Sequence, residues 1–443
     1  MRVFLVQTAK GLFSSSGGYK ANICLLRYLA SRGHCVRQLC YSCRGEVEQY
    51  VQTATSEGWN PRLRRSHLHL RAKDGSPGTV VKVSKMDMED GVEVVALETE
   101  TFEIGFGGKG KMHKEMGSET AAYIETGELL PRMSDFVSFL QSEITAFSPT
   151  HIISNDGLTM QSTSVSEMPH LDCRRFTVVH TAEQLPFGPF ANGIPGHASS
   201  PQELDLLQEL DGIWSVSDAI KRYALEYGRL STDFHIHHPW TYLDDKTHQI
   251  PAQYHNWDKK YVGMINPCPV KGSNILIDVA KACPHLDFLA YKSWGLNAEL
   301  EKQLDGIQNM TTRKSCSDMD EAWRDIKVLL VPSVWYEAWG IVVIEAHIRG
   351  IPVICSNAGA LPEAMRGLRH IIPVNAIDGK RHGDDTYVIP EQDVEPWVEV
   401  LNELMSNKDQ YEQLSSEVRN KTRDWLERLD EAALEKWMSG SKV

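Results

Sequence analysis

The stretch of residues 328–348 constrains the fold of this chain more than any other part of the sequence. Its first part, 328–333, is an apolar run closed by proline and serine, which is typical of a fully buried parallel strand. Its last part, 341–348, has the pattern of a helix, and Gly340 marks the turn before it. A strand, a glycine-containing loop and a helix N-terminus together form an anion site, because free backbone N–H groups and the helix dipole point at the ligand.

Two glutamates bracket this turn: Glu337 lies in the loop and Glu345 in the helix, with seven residues between them. Carboxylates repel phosphate, so we expect both to bind hydroxyl groups nearby. A ligand that carries phosphate and many hydroxyls is a nucleotide sugar. The alternative is a buried strand followed by a solvated helix with two surface glutamates. That alternative leaves Trp339 and the apolar helix face unexplained.

This stretch resembles the E-x7-E region of the retaining glycosyltransferases of family four. The resemblance extends to both flanks, through Pro332-Ser333, Gly350-Ile351-Pro352 and Gly359-Ala360-Leu361-Pro362-Glu363. It implies the GT-B fold, in which two Rossmann-like, doubly wound α/β domains face each other across a cleft and a C-terminal helix crosses back to the first domain. It covers nearly the whole chain and is weak between residues 42 and 143.

The order of strand and helix patterns agrees with such an architecture. Residues 3–6, 19–31 and 36–40 form a βαβ pattern, and a second alternation begins at residue 260. We expect an acceptor-side domain at 1–240, a linker at 241–258 and a donor domain at 259–419. The segments 393–405 and 408–437 are predicted to be helical, and residues 420–443 to complete the first domain. The apolar stripe expected to pack there comprises Trp425, Leu426, Leu429, Leu434 and Trp437.

Composition narrows the classes of partner and compartment. A formal net charge of -13 argues against non-specific nucleic-acid binding and against a basic membrane-docking surface. The chain start is too short and too quickly polar for a signal peptide or an integral membrane segment, and reads as a first strand. Nine scattered cysteines predict free thiols and a cytoplasmic location.

We expect neither a metal nor another cofactor. Cys40 and Cys43 lack a second pair at zinc spacing, and the histidines at 235, 237 and 238 fall in a strand. The pair Asp318 and Asp320 is interpreted as a helix start.

In the first domain the candidate residues are Gly17, Gly18 and His180. The loop at 11–18 lacks G-x-G-x-x-G, so a dinucleotide site is not supported. The resemblance implies that Gly17 and Gly18 let the backbone approach the donor phosphates and the acceptor; a flexible turn is the alternative. His180 ends the strand predicted at 176–180, where ligands of open α/β sheets bind. The resemblance implies contact with the donor sugar, whereas a core or cap histidine is the alternative.

In the second domain Lys271-Gly272 resembles the family pair whose lysine binds the donor diphosphate; a surface lysine before a helix is the alternative. Many members carry an arginine where this chain has Met264, and Asn266 could supply a neutral donor nearby. The resemblance also implies sugar binding by Glu337, ribose binding by Glu345, and a base site near Trp294 and residues 313–320. The remaining candidate donor-binding residues at the turn are Trp339, Gly340, Ile341 and Val342.

Two segments of the first half have open interpretations. The basic stretch 61–73 favours a solvated face, and a binding lip for a polar acceptor is the alternative. A hairpin is predicted from 79–84 and 92–97 around an Asp-Gly turn. The glycine-rich segment 102–116 is the candidate acceptor wall.

These patterns predict a retaining hexosyltransferase. The expected donor is a nucleoside-diphosphate sugar that is UDP-linked, such as UDP-glucose, and the expected acceptor is a hydroxyl of a small molecule. The resemblance implies an α-glycoside product, with Lys271 and the N–H groups near Gly340 stabilising the departing diphosphate without a metal. A non-catalytic nucleotide-sugar-binding protein and a sugar-nucleotide epimerase are the alternatives. The sequence does not predict the oligomeric state.

Overall fold

A computed structural model describes most of the 443-residue chain. Outside the description are residues 7–16, 73, 105–121, 123–124, 126–128, 130, 192–200, 240–248, 317, 384–385 and 441–443, and the side chains of 19, 102–104 and 201–202. Residues 241–248 of the predicted linker and 105–116 of the predicted acceptor wall lie outside the described residues.

Two compact units divide the chain. The first comprises Met1–Val216, Ile220–Pro239 and Glu431–Val443, and the second comprises Ser217–Ala219 and Trp240–Asp430. The C-terminal segment of the first unit therefore starts at Glu431, whereas the sequence had suggested residue 420.

The first unit is built on a nine-stranded sheet with the order β3-β4-β5-β2-β1-β6-β7-β8-β9. Its strands are β1 (Arg2–Val6), β2 (Cys35–Ser42), β3 (Arg64–Arg71), β4 (Pro77–Asp87), β5 (Val92–Glu98), β6 (His151–Ser154), β7 (Arg174–Val179), β8 (Gly212–Ser215) and β9 (Phe234–Ile236). Strand β4 pairs antiparallel with β3 and β5, which confirms the predicted hairpin, and the other pairings are parallel.

Helices cover this sheet because the parallel strands are apolar on both faces; residues 3–6 of β1 are fully buried. The described helices are α1 (Gly17–Ser31), α2 (Glu46–Ser56), α3 (Thr99–Ile104), α4 (Pro131–Phe147), α5 (Gly157–Ser162), α6 (Pro201–Glu209) and α7 (Asp218–Gly228).

The second unit contains a six-stranded parallel sheet with the order β12-β11-β10-β13-β14-β15. Its strands are β10 (Tyr261–Ile265), β11 (Asp287–Lys292), β12 (Met310–Lys314), β13 (Ile326–Val331), β14 (Val353–Ser356) and β15 (Ile371–Ile372). Its helices are α8 (Ser273–Ala282), α9 (Ala298–Asp305), α10 (Asp320–Trp323), α11 (Ile341–Ile348), α12 (Leu361–Ala364), α13 (Glu395–Ser406) and α14 (Lys408–Leu426), and α15 (Ala433–Met438) follows in the first unit. Every residue of β13 is buried, as its apolar run predicts.

The basic stretch forms edge strand β3, whose outward side chains are largely exposed. Two of its arginines are ion-paired within the first unit, Arg65 with Glu48 at 2.7 Å and Arg71 with Asp135 at 2.8 Å. Such charges on an edge strand disfavour pairing with another chain. A solvated face is therefore the interpretation that this geometry favours.

The prediction of one long C-terminal helix, from residue 408 to Trp437, is wrong. Helix α14 ends at Leu426 and α15 begins at Ala433. The predicted apolar stripe is divided accordingly: the ring of Trp425 lies 5.9 Å from that of Trp339 in the second unit, and the ring of Trp437 lies 4.9 Å from that of Phe176 in the first. Residues of the stripe pack in the hydrophobic cores of two different units, so one straight helix could not bury all of them.

Glu435 connects α15 to α1 and its C-terminal turn. One carboxylate oxygen lies 2.7 Å from Nε2 of His34, and the other accepts a hydrogen bond from the hydroxyl of Tyr28 at 3.1 Å. Burial raises the pKa of Glu435, but these hydrogen bonds, together with the charges of Arg32 and His34, outweigh burial and leave the pKa below its usual value of 4.5. A carboxyl group with a lowered pKa stabilises the fold above its unfolded pKa, and that contribution is lost as the pH falls through the folded pKa.

We expect Glu435→Ala to speed hydrogen exchange of the α15 backbone amides by about 10–100-fold at neutral pH, because hydrogen bonds to a charged group each contribute about 1.5–3 kcal/mol. Mass-spectrometric exchange resolved at residues 433–438 measures this. Glu427→Ala is the control, since that carboxylate is 61% exposed, and it should leave the segment unchanged. Equal protection of α15 in wild type and Glu435→Ala would refute the assigned anchor.

The nine cysteines are all free thiols, as predicted. No helix in the described part of the chain has the length and apolar character that a membrane span requires.

Candidate functional site

The turn that follows β10 presents Lys271 at the carboxyl edge of the second sheet. A 3-10 turn, Pro269–Lys271, leads into Gly272, whose φ of +86° precedes α8. A Cβ on Gly272 would lie 2.0 Å from the carbonyl oxygen of Pro332, so only glycine fits between this turn and the loop after β13.

Backbone hydrogen bonds fasten the same two segments together. The N–H groups of Val334 and Trp335 both donate to the carbonyl oxygen of Val270 at 3.1 Å, and the hydroxyl of Ser333 donates to it at 3.2 Å. The position of Lys271 is therefore set by backbone contacts on either side of it. These contacts explain why a glycine follows Lys271 in this chain.

Lys271 and Glu337 form an ion pair with 2.6 Å between Nζ and Oε1. Glu337 is only 9% exposed, and a carboxylate buried to this extent requires such a partner. The ammonium group also lies 4.8 Å from the ring centroid of Trp335 and 5.8 Å from that of Trp294, within cation–π range. One cation and one carboxylate thus stand side by side, with an exposed indole, Trp294, beside them.

The turn between the two glutamates caps α11. Gly340 has φ +99° and is the N-cap residue, so Ile341 and Val342 form the first turn of an eight-residue helix. The carbonyl oxygen of Glu337 accepts a 2.7 Å hydrogen bond from the N–H of Ala360, which explains why the Gly359-Ala360 motif accompanies the glutamate. Glu345 lies further along the helix and is 8% exposed.

Three further positions named in the sequence analysis mainly contact other residues of the second unit. Trp339 is 4% exposed and packs on Trp425. Asn266 takes a φ of +60° after β10, and its N–H donates to the carbonyl oxygen of Tyr291 at 2.9 Å. Asp320 begins α10, as predicted, and pairs with Arg349 at 2.7 Å. Within the described residues, no three His, Cys, Asp or Glu side chains come together in a way that would hold a metal ion.

In the first unit His180 follows directly after β7 and lies against α1. A Cβ added to Gly18 would be 3.1 Å from the imidazole ring, so the two predicted residues are in contact. The ring nitrogen Nε2 lies 2.9 Å from Oδ1 of Asn22, a fully buried side chain on α1. With that carbonyl oxygen as acceptor, the proton of the neutral ring is on Nε2. The structure adds Asn22 to the site; a polar residue on the inner face of a predicted helix was the available signal.

Burial lowers the pKa of His180 to about 4. The low-dielectric surroundings disfavour the imidazolium, so the ring is neutral at physiological pH. His180 is therefore suited to orient a ligand through hydrogen bonds rather than to supply a positive charge.

We expect the imidazole of His180 to stay neutral from pH 8 down to about pH 5.5, since its lowered pKa lies beneath that window. Nitrogen-detected NMR of the ring, assigned by comparison with His180→Gln, measures the titration and the tautomer. Asn22→Ala should leave the pKa low, because burial is its cause, but should remove the preference for the Nε2–H tautomer. A midpoint near 6.5 in the wild-type protein would contradict this account.

The structure brings the predicted residues together in two groups, one within each unit. The first contains Gly18 and His180, and Gly17 begins α1 beside them. The second contains Lys271, Glu337 and the α11 N-terminus. The contact of Trp335 with Lys271 could not be predicted from the sequence, because a single tryptophan before the glutamate has no periodic pattern.

Comparison with known families gives a match in the second unit. Residues 291–421 match the family described as glycosyl transferases group 1. No curated protein matches the sequence.

Solved structures similar to this chain cover nearly its full length. The catalytic domain of starch synthase IV from Arabidopsis thaliana, bound to ADP and acarbose, is 12% identical with a TM-score of 0.62, and 99% of each chain is covered. A mutant of TarM from S. aureus, in complex with fondaparinux, alpha-GlcNAc-glycerol and UDP, is 12% identical with a TM-score of 0.62, and 100% of each chain is covered. HepE from Anabaena, in complex with UDP-glucose, is 13% identical with a TM-score of 0.58, covering 100% of this chain and 99% of that one.

These matches confirm the predicted fold and family at the coarser level. Residues 291–421 match the group 1 glycosyl transferases, and the chain as a whole has the GT-B fold. Both sheets with their helices are the doubly wound α/β units that this fold requires.

Proposed function

We propose that this protein is a retaining glycosyltransferase that moves a hexose from a UDP-linked donor to a hydroxyl of a small-molecule acceptor. The observation that carries the proposal is the ion pair of Lys271 and Glu337 beside the N-terminus of α11. A cation and a helix N-terminus attract phosphate, whereas a buried carboxylate attracts hydroxyl groups. A nucleotide sugar offers both kinds of group at adjacent positions, and few other metabolites do.

In the proposed reaction the bond from the anomeric carbon to the phosphate oxygen breaks, and the acceptor oxygen bonds to the same face of that carbon. The proton of the acceptor hydroxyl passes to an oxygen of the departing phosphate. Lys271 and the N–H groups around Gly340 and Ile341 stabilise the diphosphate as its charge develops. Glu337 holds the sugar hydroxyls, and Glu345 the ribose hydroxyls. The family resemblance supports retention. In this arrangement the departing phosphate is the base for the acceptor hydroxyl, so no second carboxylate is required.

The remaining assignments follow the same resemblance. His180 is proposed to orient the sugar through its neutral ring, and the backbone at Gly17 and Gly18 to approach the phosphates. Starch synthase IV holds ADP, TarM holds UDP and HepE holds UDP-glucose in the structures described above, which supports a nucleoside-diphosphate donor. We assign the reaction no metal and place it in the cytoplasm.

A second candidate is a nucleotide-sugar-binding protein without turnover. Met264 favours it, because many relatives have an arginine at this position and Met264 is only 1% exposed in β10. Lys271 would then be the main cation for the diphosphate in the second unit. Product formation distinguishes the two candidates, and product without acceptor would instead reveal an epimerase.

The reaction itself is tested with UDP-glucose and a panel of hydroxyl-bearing acceptors, followed by mass spectrometry. We expect a hexose adduct whose anomeric proton coupling in NMR shows an α-linkage, formed at the same rate with and without a chelator. A β-linked product would contradict retention. Loss of activity on chelation, restored by a divalent ion, would show that a metal takes part.

The ion pair also predicts how the site distinguishes donor from product. UDP can bind Lys271 only by separating it from Glu337, and it offers the carboxylate no sugar hydroxyls in return. UDP-glucose offers phosphate to Lys271 and sugar hydroxyls to Glu337. Glu337→Gln should therefore tighten UDP binding by up to about tenfold, or about 1.4 kcal/mol, while turnover of UDP-glucose falls by about 10²-fold.

Lys271→Ala is the matched variant for this experiment. It removes the cation and should weaken both UDP and UDP-glucose. Calorimetry with the two ligands on each variant provides the measurement. If UDP bound Glu337→Gln and the wild type with equal affinity, the ion pair would have no role in discrimination.

A further inference from the structure

The turn after β11 carries an exposed tryptophan that the proposed mechanism does not use. Within the described part of the chain, Trp294 is the most exposed tryptophan, with 55% of its surface accessible. A single apolar side chain on a protein surface needs no explanation by itself. The surroundings of Trp294 are what make its exposure informative.

Two indole rings surround the ammonium group of the donor site. Nζ of Lys271 lies 5.8 Å from the ring centroid of Trp294 and 4.8 Å from that of Trp335. The two ring centroids are 5.9 Å apart and the ring planes meet at 75°. The same ammonium group lies 2.6 Å from Oε1 of Glu337. An aromatic surface therefore adjoins the carboxylate that we propose to bind sugar hydroxyls.

Backbone contacts hold both tryptophans beside the Lys271 turn. Gly295, which follows Trp294, has φ +75°, and an added Cβ would lie 3.1 Å from Cβ of the buried Cys268 in that turn. Both the left-handed conformation and the close approach favour glycine. The N–H of Trp335 donates to the carbonyl oxygen of Val270 at 3.1 Å. Because the supporting backbone is fixed, a ligand that binds the indoles has less of the site to order.

An indole surface next to a carboxylate complements a pyranose ring. The faces of a pyranose carry C–H groups, which are apolar and slightly positive, and they stack on the electron-rich face of an indole. Its rim carries hydroxyl groups, which donate hydrogen bonds to a carboxylate. A phosphate group does not suit an aromatic face, because the face and the anion repel each other.

A nucleotide base also stacks on indoles, and the family resemblance implies a base site near Trp294. In a nucleotide sugar, however, a ribose and two phosphates separate the base from the sugar. Trp294 lies 5.8 Å from the ammonium group that is paired with Glu337, the residue proposed to bind the sugar. This distance favours the sugar end of the donor.

We propose that Trp294 and Trp335 form a platform on which the pyranose ring of the donor stacks, and that Trp294 is a specificity-determining residue. The inference rests on the proposed function and names the part of the donor that these side chains bind. Glu337 binds the hydroxyl rim, and the platform binds the C–H face. The platform therefore distinguishes a sugar nucleotide from the free nucleotide.

Calorimetry on variants of the full chain tests the platform with three ligands: UDP, UDP-glucose and glucose 1-phosphate. Trp294→Ala should weaken binding of the two glucose compounds by about tenfold, while UDP affinity stays within about twofold. Trp294→Phe keeps an aromatic face and should stay within about threefold of wild type for all three ligands. Trp59→Ala removes a tryptophan that is 36% exposed in the first unit, and this control should change none of the affinities.

Tryptophan fluorescence gives a second readout without a nucleotide. Glucose 1-phosphate, but not inorganic phosphate, should change the emission of the wild type and of Trp59→Ala, and the change should be absent in Trp294→Ala. A response to inorganic phosphate of the same size would assign the effect to Lys271 and would overturn stacking of the sugar.

The calorimetric result also separates this proposal from the proposed function. Equal weakening of UDP and UDP-glucose in Trp294→Ala would mean that the indole binds the base or the phosphates, and unchanged affinity for UDP-glucose would remove Trp294 from the site. Either result overturns the platform even if the wild type forms a glucoside. Selective weakening of the glucose compounds supports the platform even if the wild type forms no product, in which case transfer alone fails. A wild type that binds neither glucose compound overturns both.

Discussion

The contact between Gly272 and the carbonyl oxygen of Pro332 is the constraint on which the proposed donor site depends. A left-handed glycine and three hydrogen bonds to the carbonyl oxygen of Val270 join the turn after β10 to the loop after β13. Because backbone atoms make these contacts, the positions of Lys271 and of the Glu337 loop cannot change independently. The side chains of the proposed donor site thus stand on a rigid support, which electrostatic preorganisation requires.

Three titratable groups at the two sheet edges are held in three different ways. Glu337 is buried and charged, and Lys271 compensates its charge at 2.6 Å. His180 is neutral because burial lowers its pKa to about 4. Glu203 is neutral because burial, with a smaller effect of Asp156, raises its pKa to about 8. Burial therefore leaves both His180 and Glu203 uncharged at pH 7.

Two features of the fold could not be predicted from the sequence, and each has a physical reason. Strand β12, Met310–Lys314, is polar and only partly buried at a sheet edge, so its sequence lacks the apolar run of a central strand. The end of α14 has neither glycine nor proline to mark it. There the two packing partners of the stripe, Trp339 for Trp425 and Phe176 for Trp437, decide where the helix stops.

The sequence by itself determined most strand and helix positions and the E-x7-E turn, because apolar periodicity and glycine placement are local properties of the chain. Its resemblance to a known family implied the GT-B fold. It also identified Lys271, Glu337, Gly18 and His180 as candidates. Only the tertiary structure decided that Lys271 pairs with Glu337, that Nε2 of His180 lies 2.9 Å from Oδ1 of Asn22 and that Glu203 packs against Gly157. These contacts join residues that are far apart in the chain, and their energies depend on distance and burial, which no local pattern encodes.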